Sequence, residues 1–266
     1  MNIFMIGSES SHAAHFATAL YSISKSNTLF LSDLWANDGP CYVSAVQHLF
    51  PKVKIVDDVE SAIKRSDAVI ITLRRASEHY DFTALAIKHR KPVFVDKPFT
   101  DTVTHAQKLI KLGTKHEVQI SGGSTLCFLS EFIEALPAIR NARNIKISFF
   151  ADPASPYEGY RFYGSHLTDL YSAIANGVPQ DVSVCHKGEE LSVNFEHNKQ
   201  TVSFVTRKAQ SPLMIFFDDE QVELSQTDCY KAGMENFIDL VEGKTSGDSE
   251  RLLRSVKLMT LIEDKI

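Results

Sequence analysis

Two stretches of this chain carry residue types that can do chemistry. Val95-Asp96-Lys97-Pro98 closes a short apolar run. It reads as the carboxyl end of a fifth strand, the edge at which open α/β sheets bind ligands. A lysine there can polarise or protonate an oxygen while hydride moves to or from its carbon; a solvated Lys-Pro loop is the plain alternative. The other stretch is Gly7–His12 (GSESSH), between a first strand and a first helix. A dinucleotide fold places Gly-x-Gly-x-x-Gly there, so that backbone can approach a pyrophosphate at the helix N-terminus. Gly7, Glu9 and His12 fill the three slots, one glycine where three are usual. Ser8, Ser10 and Ser11 offer hydroxyls to a phosphate or to the helix cap. Glu9 opposes the reading: a carboxylate ~5 Å from one phosphate charge costs about 3 kcal/mol at an effective dielectric near 20, unless it points away.

Asp33 lies 21 positions after His12, near the spacing expected of the acid that bonds the adenosine ribose. An acid there repels a 2′-phosphate and favours NAD over NADP; a common strand-end aspartate is the alternative. Arg74 and Arg75 follow a fourth strand at the mouth of the same site, to clamp a phosphate or carboxylate or to stay solvated. Trp35 could stack on adenine or sit in a surface loop. His12 and His15 are spaced for one helix face, but no third ligand lies near, and no metal site is expected.

These residues need a frame. Asn2–Ile6, Thr28–Leu31, Val53–Val56, Ala68–Thr72, Pro92–Val95 and Val118–Ile120 read as strands. Helical spacing falls at His12–Ser24, Ser77–His89 and Asp101–Leu112, and Asp57-Asp58 suits a helix cap. Apolar runs too continuous for one-sided alternation mean a parallel sheet covered on both faces, hence a doubly wound α/β fold. After Gly122-Gly123 the texture changes. Helices at Ser130–Arg143, Leu167–Ala175, Tyr230–Val241 and Glu250–Glu263 flank β-type segments at Lys146–Phe150, Val182–His186, Leu191–Glu196, Thr201–Thr206, Met214–Phe217 and Val222–Leu224. The expected architecture is a Rossmann-like domain over 1–121 and an α+β domain over 122–266 with an open, mostly antiparallel sheet.

Composition sets the outer limits. The chain has 266 residues, 44% hydrophobic and 23% charged, which is globular material and not disordered. Its 33 acids against 28 bases argue against nucleic acid as a partner. No apolar run reaches the ~20 residues of a membrane span, and MNIFMIGSES reads as a strand, not a signal peptide. Cys41, Cys127, Cys185 and Cys229 are far apart, as suits reduced thiols. A cytoplasmic protein is expected.

The segment Ala68–Thr100 (AVIITLRRASEHYDFTALAIKHRKPVFVDKPFT) resembles the strand–loop–helix–strand module of the glucose-fructose oxidoreductase / inositol dehydrogenase / rhizopine catabolism (Gfo/Idh/MocA) family. His79 and Asp96-Lys97-Pro98 keep its spacing, with Asp96 for the usual Glu and Arg74-Arg75 for Thr-Pro. Gly164–Tyr171 (GSHLTDLY) resembles the family's Gly-x-His-x-x-Asp helix, while Tyr230–Leu240 and Ser255–Met259 fit its closing helices. The resemblance implies an NAD(P)-dependent oxidoreductase acting on a secondary alcohol of a sugar, inositol or related polyol. It makes Lys97 the catalytic lysine and His166 the acid/base histidine, with Asp169 orienting the imidazole or holding a substrate hydroxyl, and Asp96 positioning Lys97. Tyr157, Tyr160, Arg161 and Tyr163, ahead of His166, suit a polyol wall, with aromatic packing as the alternative. A homodimer or homotetramer through the second sheet is implied, with Leu191–Phe195 and Met214–Phe217 supplying apolar patches. Phe162 stands where the family often has an Asp four residues before the His. The same fold also serves non-catalytic ligand sensors and NAD-assisted hydrolases or epimerases.

Overall fold

The computed structural model describes residues 1–24, 29–36 and 42–266. Thr28, at the start of the expected second strand, and Cys41 lie outside the described residues. The first sheet is parallel throughout and ordered β3-β2-β1-β4-β5-β6. Its strands are β1 Asn2–Ile6, β2 Phe30–Trp35, β3 Lys54–Ile55, β4 Ala68–Ile71, β5 Val93–Asp96 and β6 Ile120–Gly123. All four residues of β4 and of β5 are buried, the signature of a strand covered on both faces. Helices α1 Ser11–Ser24, α2 Val43–Leu49, α3 Val59–Arg65, α4 His79–Lys88 and α5 Val103–His116 alternate with the strands. The Asp58 carboxylate accepts from the Ser61 N–H and caps α3, and Thr102 caps α5 in the same way.

The second sheet, ordered β12-β11-β7-β10-β9-β8, is antiparallel except where β7 (Asn144–Phe150) pairs with β10 (Gln200–Arg207). Its other strands are β8 Ser183–Lys187, β9 Glu190–His197, β11 Leu213–Phe217 and β12 Glu220–Leu224, with helices α6 Ser130–Asn141 and α7 Arg161–Ile174. Helix α7 begins six residues before the Leu167 start that the sequence suggests, because Tyr163 and its neighbours wind on from the preceding loop. Two closing helices return to the first sheet. Met234 and Phe237 of α8 (Cys229–Val241) pack with Phe16, Leu20 and Phe94, and Leu252 and Val256 of α9 (Ser249–Glu263) pack with Val95 and Leu109.

Gly122 and Gly123, where the texture of the sequence changes, end β6, and a Cβ on Gly122 would meet the Val95 carbonyl oxygen at 1.9 Å, so only glycine lets β6 run so close to β5. One expectation needs correction. The apolar residues of β9 supply no surface patch, since Leu191, Val193 and Phe195 are buried in the second core; Met214 and Phe216 of β11 are half-buried. Among the described residues no helix is long and apolar enough to cross a membrane.

Candidate active site

Lys97 follows directly on β5, and its peptide to Pro98 is cis. His79 fixes this turn: its ring nitrogens lie 3.2 Å from the Phe99 carbonyl and 2.9 Å from that of Leu73, tying the β4 and β5 loops together. The Lys97 side chain is only 3% exposed. Nζ donates to the Phe162 carbonyl at 3.2 Å and lies 3.9 Å from the centre of the Phe162 ring. The residue that removes an expected carboxylate thus covers the lysine with an aromatic face. Burial lowers the amine from 10.5 to about 8; Asp96 and Asp169 pull it up, and the Arg74 charge pushes it further down.

His166 faces the lysine from α7. Its Nδ1 lies 2.7 Å from Ser124 Oγ, its ring edge meets Phe149, and the half-buried ring borders the cleft beside Lys97. Burial, together with the charges of Lys97 and His12, holds its pKa well below the usual histidine value. Asp169 does not orient this ring. Its Oδ2 accepts from the Ser124 N–H at 2.6 Å, and its Oδ1 faces Arg251 at 3.4 Å. Arg251, from α9, also donates to the Gly122 carbonyl at 2.7 Å. Asp169 is 1% exposed and cannot reach a substrate hydroxyl; its carboxyl is raised by burial, against the pull of Arg251. It serves as an internal brace that holds Ser124. Ser124 and Arg251 are the residues that sequence reasoning missed.

The first turn comes together differently from its glycine pattern. Gly7 has φ +109°, and a Cβ there would lie 2.9 Å from the Leu73 backbone nitrogen; Thr72 Oγ1 donates to its carbonyl. Glu9 points away from the cleft: Oε1 accepts from the Arg74 N–H at 2.7 Å, and the Arg74 guanidinium bonds the Glu9 carbonyl. The Glu9 carboxylate is thus held by a backbone N–H, while the Arg74 guanidinium serves the Glu9 main-chain carbonyl. Arg74 also stacks on Tyr157 at 4.2 Å, whereas Arg75 is exposed. In the third glycine slot, His12 donates from Nδ1 to Asp96 Oδ2 at 2.5 Å and sets its ring edge against Tyr230. Burial alone would raise the Asp96 carboxyl, but His12 and Lys97 outweigh it and hold it low. His15 stacks on Tyr230.

Ser10, Ser11, His12, Arg74, Lys97 and His166 border one cavity of about 650 Å³, whose wall also includes Phe150, Tyr157 and Tyr163. A second, of about 320 Å³, adjoins it past Asp96 and Tyr230. Ser8 is buried beside them. Tyr160 and Arg161 are not cleft walls: Tyr160 is buried, and Arg161 pairs with Glu263 and bonds the Thr100 carbonyl. Asp33 is not in the cleft. Strand β2 continues two residues past it to Trp35, and its carboxylate takes hydrogen bonds from Arg65 at 2.5 Å and Ser32 at 2.9 Å. It borders a separate cavity of about 880 Å³ with Asn2, Phe30 and Lys54, which Lys97 does not line. Trp35 packs on Phe82.

The cleft suits the phosphates of a dinucleotide. The N-terminus of α1 opens beside Ser10 and Ser11, and Arg74 and Lys97 supply positive charge, while Gly7 serves the close packing of this turn on Leu73. Among the described residues no carboxylate lines the cavity of about 650 Å³ beside Lys97. The acid expected on the adenosine ribose is the part that does not fit.

Residues 2–124 match the Gfo/Idh/MocA oxidoreductase family, NAD-binding Rossmann fold. No curated protein matches the chain in sequence. Solved structures match it over both sheets. GenD2 from gentamicin A biosynthesis, in complex with NAD, is 11% identical with a TM-score of 0.82, covering 99% of this chain and 93% of its own. The WlbA (WbpB) dehydrogenase from Thermus thermophilus, in complex with NAD and UDP-GlcNAcA, is 14% identical with a TM-score of 0.79, covering 98% and 94%. The UDP-N-acetylglucosamine 3-dehydrogenase GnnA from Acidithiobacillus ferrooxidans is 16% identical with a TM-score of 0.77, covering 100% and 98%. At these identities the likeness is one of fold.

Proposed function

We propose that this chain, whose residues 2–124 belong to the Gfo/Idh/MocA oxidoreductases, is a nicotinamide-dinucleotide-dependent dehydrogenase for a secondary alcohol on a sugar, inositol or related polyol. Residues 1–121 hold the dinucleotide and 122–266 supply the substrate wall. The observation that carries the reading is the meeting of Lys97, at the end of β5, with His166 of α7 in a cleft that also takes in the N-terminus of α1. Gly7, Ser10, Ser11 and Arg74 would hold the phosphates. The bound nicotinamide supplies the hydride acceptor or donor. The chain's own residues do the rest. Lys97 and His166 face the reacting oxygen and manage its charge and proton, while Phe150, Tyr157 and Tyr163 wall off water. The expectation of NAD over NADP draws on the family description and on the relatives crystallised with NAD, because Asp33 is engaged by Arg65.

Fluorescence titration with NADH and NADPH tests the reading, followed by a screen of polyols, inositols and sugar acids for NADH production. Saturable NADH binding is expected. Absence of binding at millimolar concentration of either nucleotide would sink the enzyme and leave a non-catalytic protein on this fold.

A further inference from the structure

The contact between Ser124 and His166 assigns the proton on the imidazole, and with it the division of labour in the cleft. Ser124 is 0% exposed, so water does not reach its hydroxyl. Its one hydrogen-bond partner among the described residues is His166 Nδ1, at 2.7 Å. A hydroxyl has one hydrogen to place. If Nδ1 carried the imidazole proton and donated to Oγ, the buried hydroxyl hydrogen would face no acceptor, a costly arrangement. If Ser124 donates to an unprotonated Nδ1, both groups are satisfied and the proton sits on Nε2. Nδ1 points at a fully buried serine, so the exposed edge of the half-buried ring is the one bearing Nε2, facing the cavity it shares with Lys97.

We propose that His166 is a hydrogen-bond donor to the reacting oxygen through Nε2–H, with Ser124 as the positioning residue that sets this tautomer, and that Lys97 carries the substrate proton. This refines the dehydrogenase reading and rests on it for the identity of the oxygen. In oxidation, the hydroxyl proton would pass to the neutral Lys97 amine, which becomes an ammonium, and a nicotinamide held in the cleft would supply the acceptor for the hydride that leaves the alcohol carbon. In reduction, the ammonium returns that proton to the alkoxide. A neutral Nε2–H imidazole cannot take the proton at Nε2, and could give it up only by becoming an imidazolate or by stripping Ser124 to an alkoxide. Formation of the imidazolium is opposed by burial and by the neighbouring charges of Lys97 and His12. The Lys97 amine, brought down to about 8, exchanges its proton near neutrality. The groups that set it, besides burial, are Asp96 beside it, Arg74 from the β4 loop and Asp169 from α7, and His166 of α7 faces it across the cleft.

The tautomer can be read without a substrate. Long-range 1H–15N NMR on protein labelled in histidine, with His166 assigned from the spectrum of His166→Gln, reports both ring nitrogens at neutral pH. A neutral ring protonated on Nε2, in excess of about ten to one, is expected. Ser124→Ala should blunt that preference and Ser124→Thr should keep it. A ring protonated on Nδ1, an imidazolium, or a Ser124→Ala spectrum identical to wild type would overturn the proposal. NADH titration of the same sample separates the two readings. Binding with the wrong tautomer defeats this inference alone, whereas the expected tautomer without binding defeats the dehydrogenase and with it the role toward a substrate oxygen.

Discussion

Replacing Phe162 by Asp should return Lys97 to the range of an ordinary lysine. The wild-type amine lies 3.9 Å from the Phe162 ring centre, and among the described residues no carboxylate oxygen lies within ion-pairing distance of it. Its fall from 10.5 to about 8 corresponds to about 3 kcal/mol against the charged form. A carboxylate at ~4 Å contributes about 4 kcal/mol at an effective dielectric near 20, enough to cancel that deficit. Even half of it, allowing for hydration of the new acid, lifts the midpoint to about 9.5. Phe162→Leu keeps the burial and removes only the attraction of the ring face, about 0.5–2 kcal/mol, so its midpoint should fall slightly below the wild-type value. Protein labelled in lysine 13Cε and 15Nζ, titrated by NMR with Lys97 assigned from Lys97→Met, gives all three midpoints. A wild-type midpoint near 10.5, or a Phe162→Asp midpoint still near 8, would refute the claim that burial under an aromatic ring sets this amine.

Gly7→Ala should destabilise the fold by about 2 kcal/mol or more, because φ is +109° and the new Cβ would sit 2.9 Å from the Leu73 nitrogen. Gly188→Ala, at φ +62° with nothing within 4 Å, should cost about 1 kcal/mol; urea unfolding showing equal losses would contradict the packing. Asp33→Asn should weaken the fold by about 1–2 kcal/mol through Arg65, which is partly solvated, and leave the NADH/NADPH affinity ratio unchanged. A changed ratio would put Asp33 back in the site. The lowered pKa of His166 means that the unfolded chain binds more protons than the folded one once pH drops toward the unfolded value of 6.5. Its stability contribution is thus present above about 6.5 and is lost as pH falls, by up to about 1.4 kcal/mol per pH unit. His166→Gln should flatten the decline in urea stability between pH 7 and 5 by that amount. His15 and His197, also lowered, keep the remaining slope, and identical slopes in the two proteins would show that His166 is not held neutral.

What was legible in the chain was local, and what was hidden depends on contacts between distant segments. The unbroken apolar run at Ala68–Ile71 can only be a strand covered on both faces, and a lysine just past a neighbouring strand must come out at the ligand edge. Asp58 announces α3 because a cap acts over three residues. Asp33 misled for a related reason: counting from the glycine slots ignores where β2 stops, and the strand runs on to Trp35 while Arg65, 32 residues later, takes the carboxylate. Asp169 lies one helical turn past His166, and spacing alone makes it a partner for the ring. The packing of α9 places Arg251 beside it instead, 82 residues on, and gives the ring to Ser124, 42 residues back. No periodicity in a single chain encodes either contact. Phe162 is the most instructive case, because the missing carboxylate reads as a loss of acid–base machinery when only residue types are counted. In the folded protein the same substitution removes a charge that would keep Lys97 protonated and leaves burial to outweigh the pull of Asp96 and Asp169. An amine near 8 beside a neutral imidazole can exchange a proton at the pH where an ordinary lysine could not, so losing the acid makes the lysine more reactive.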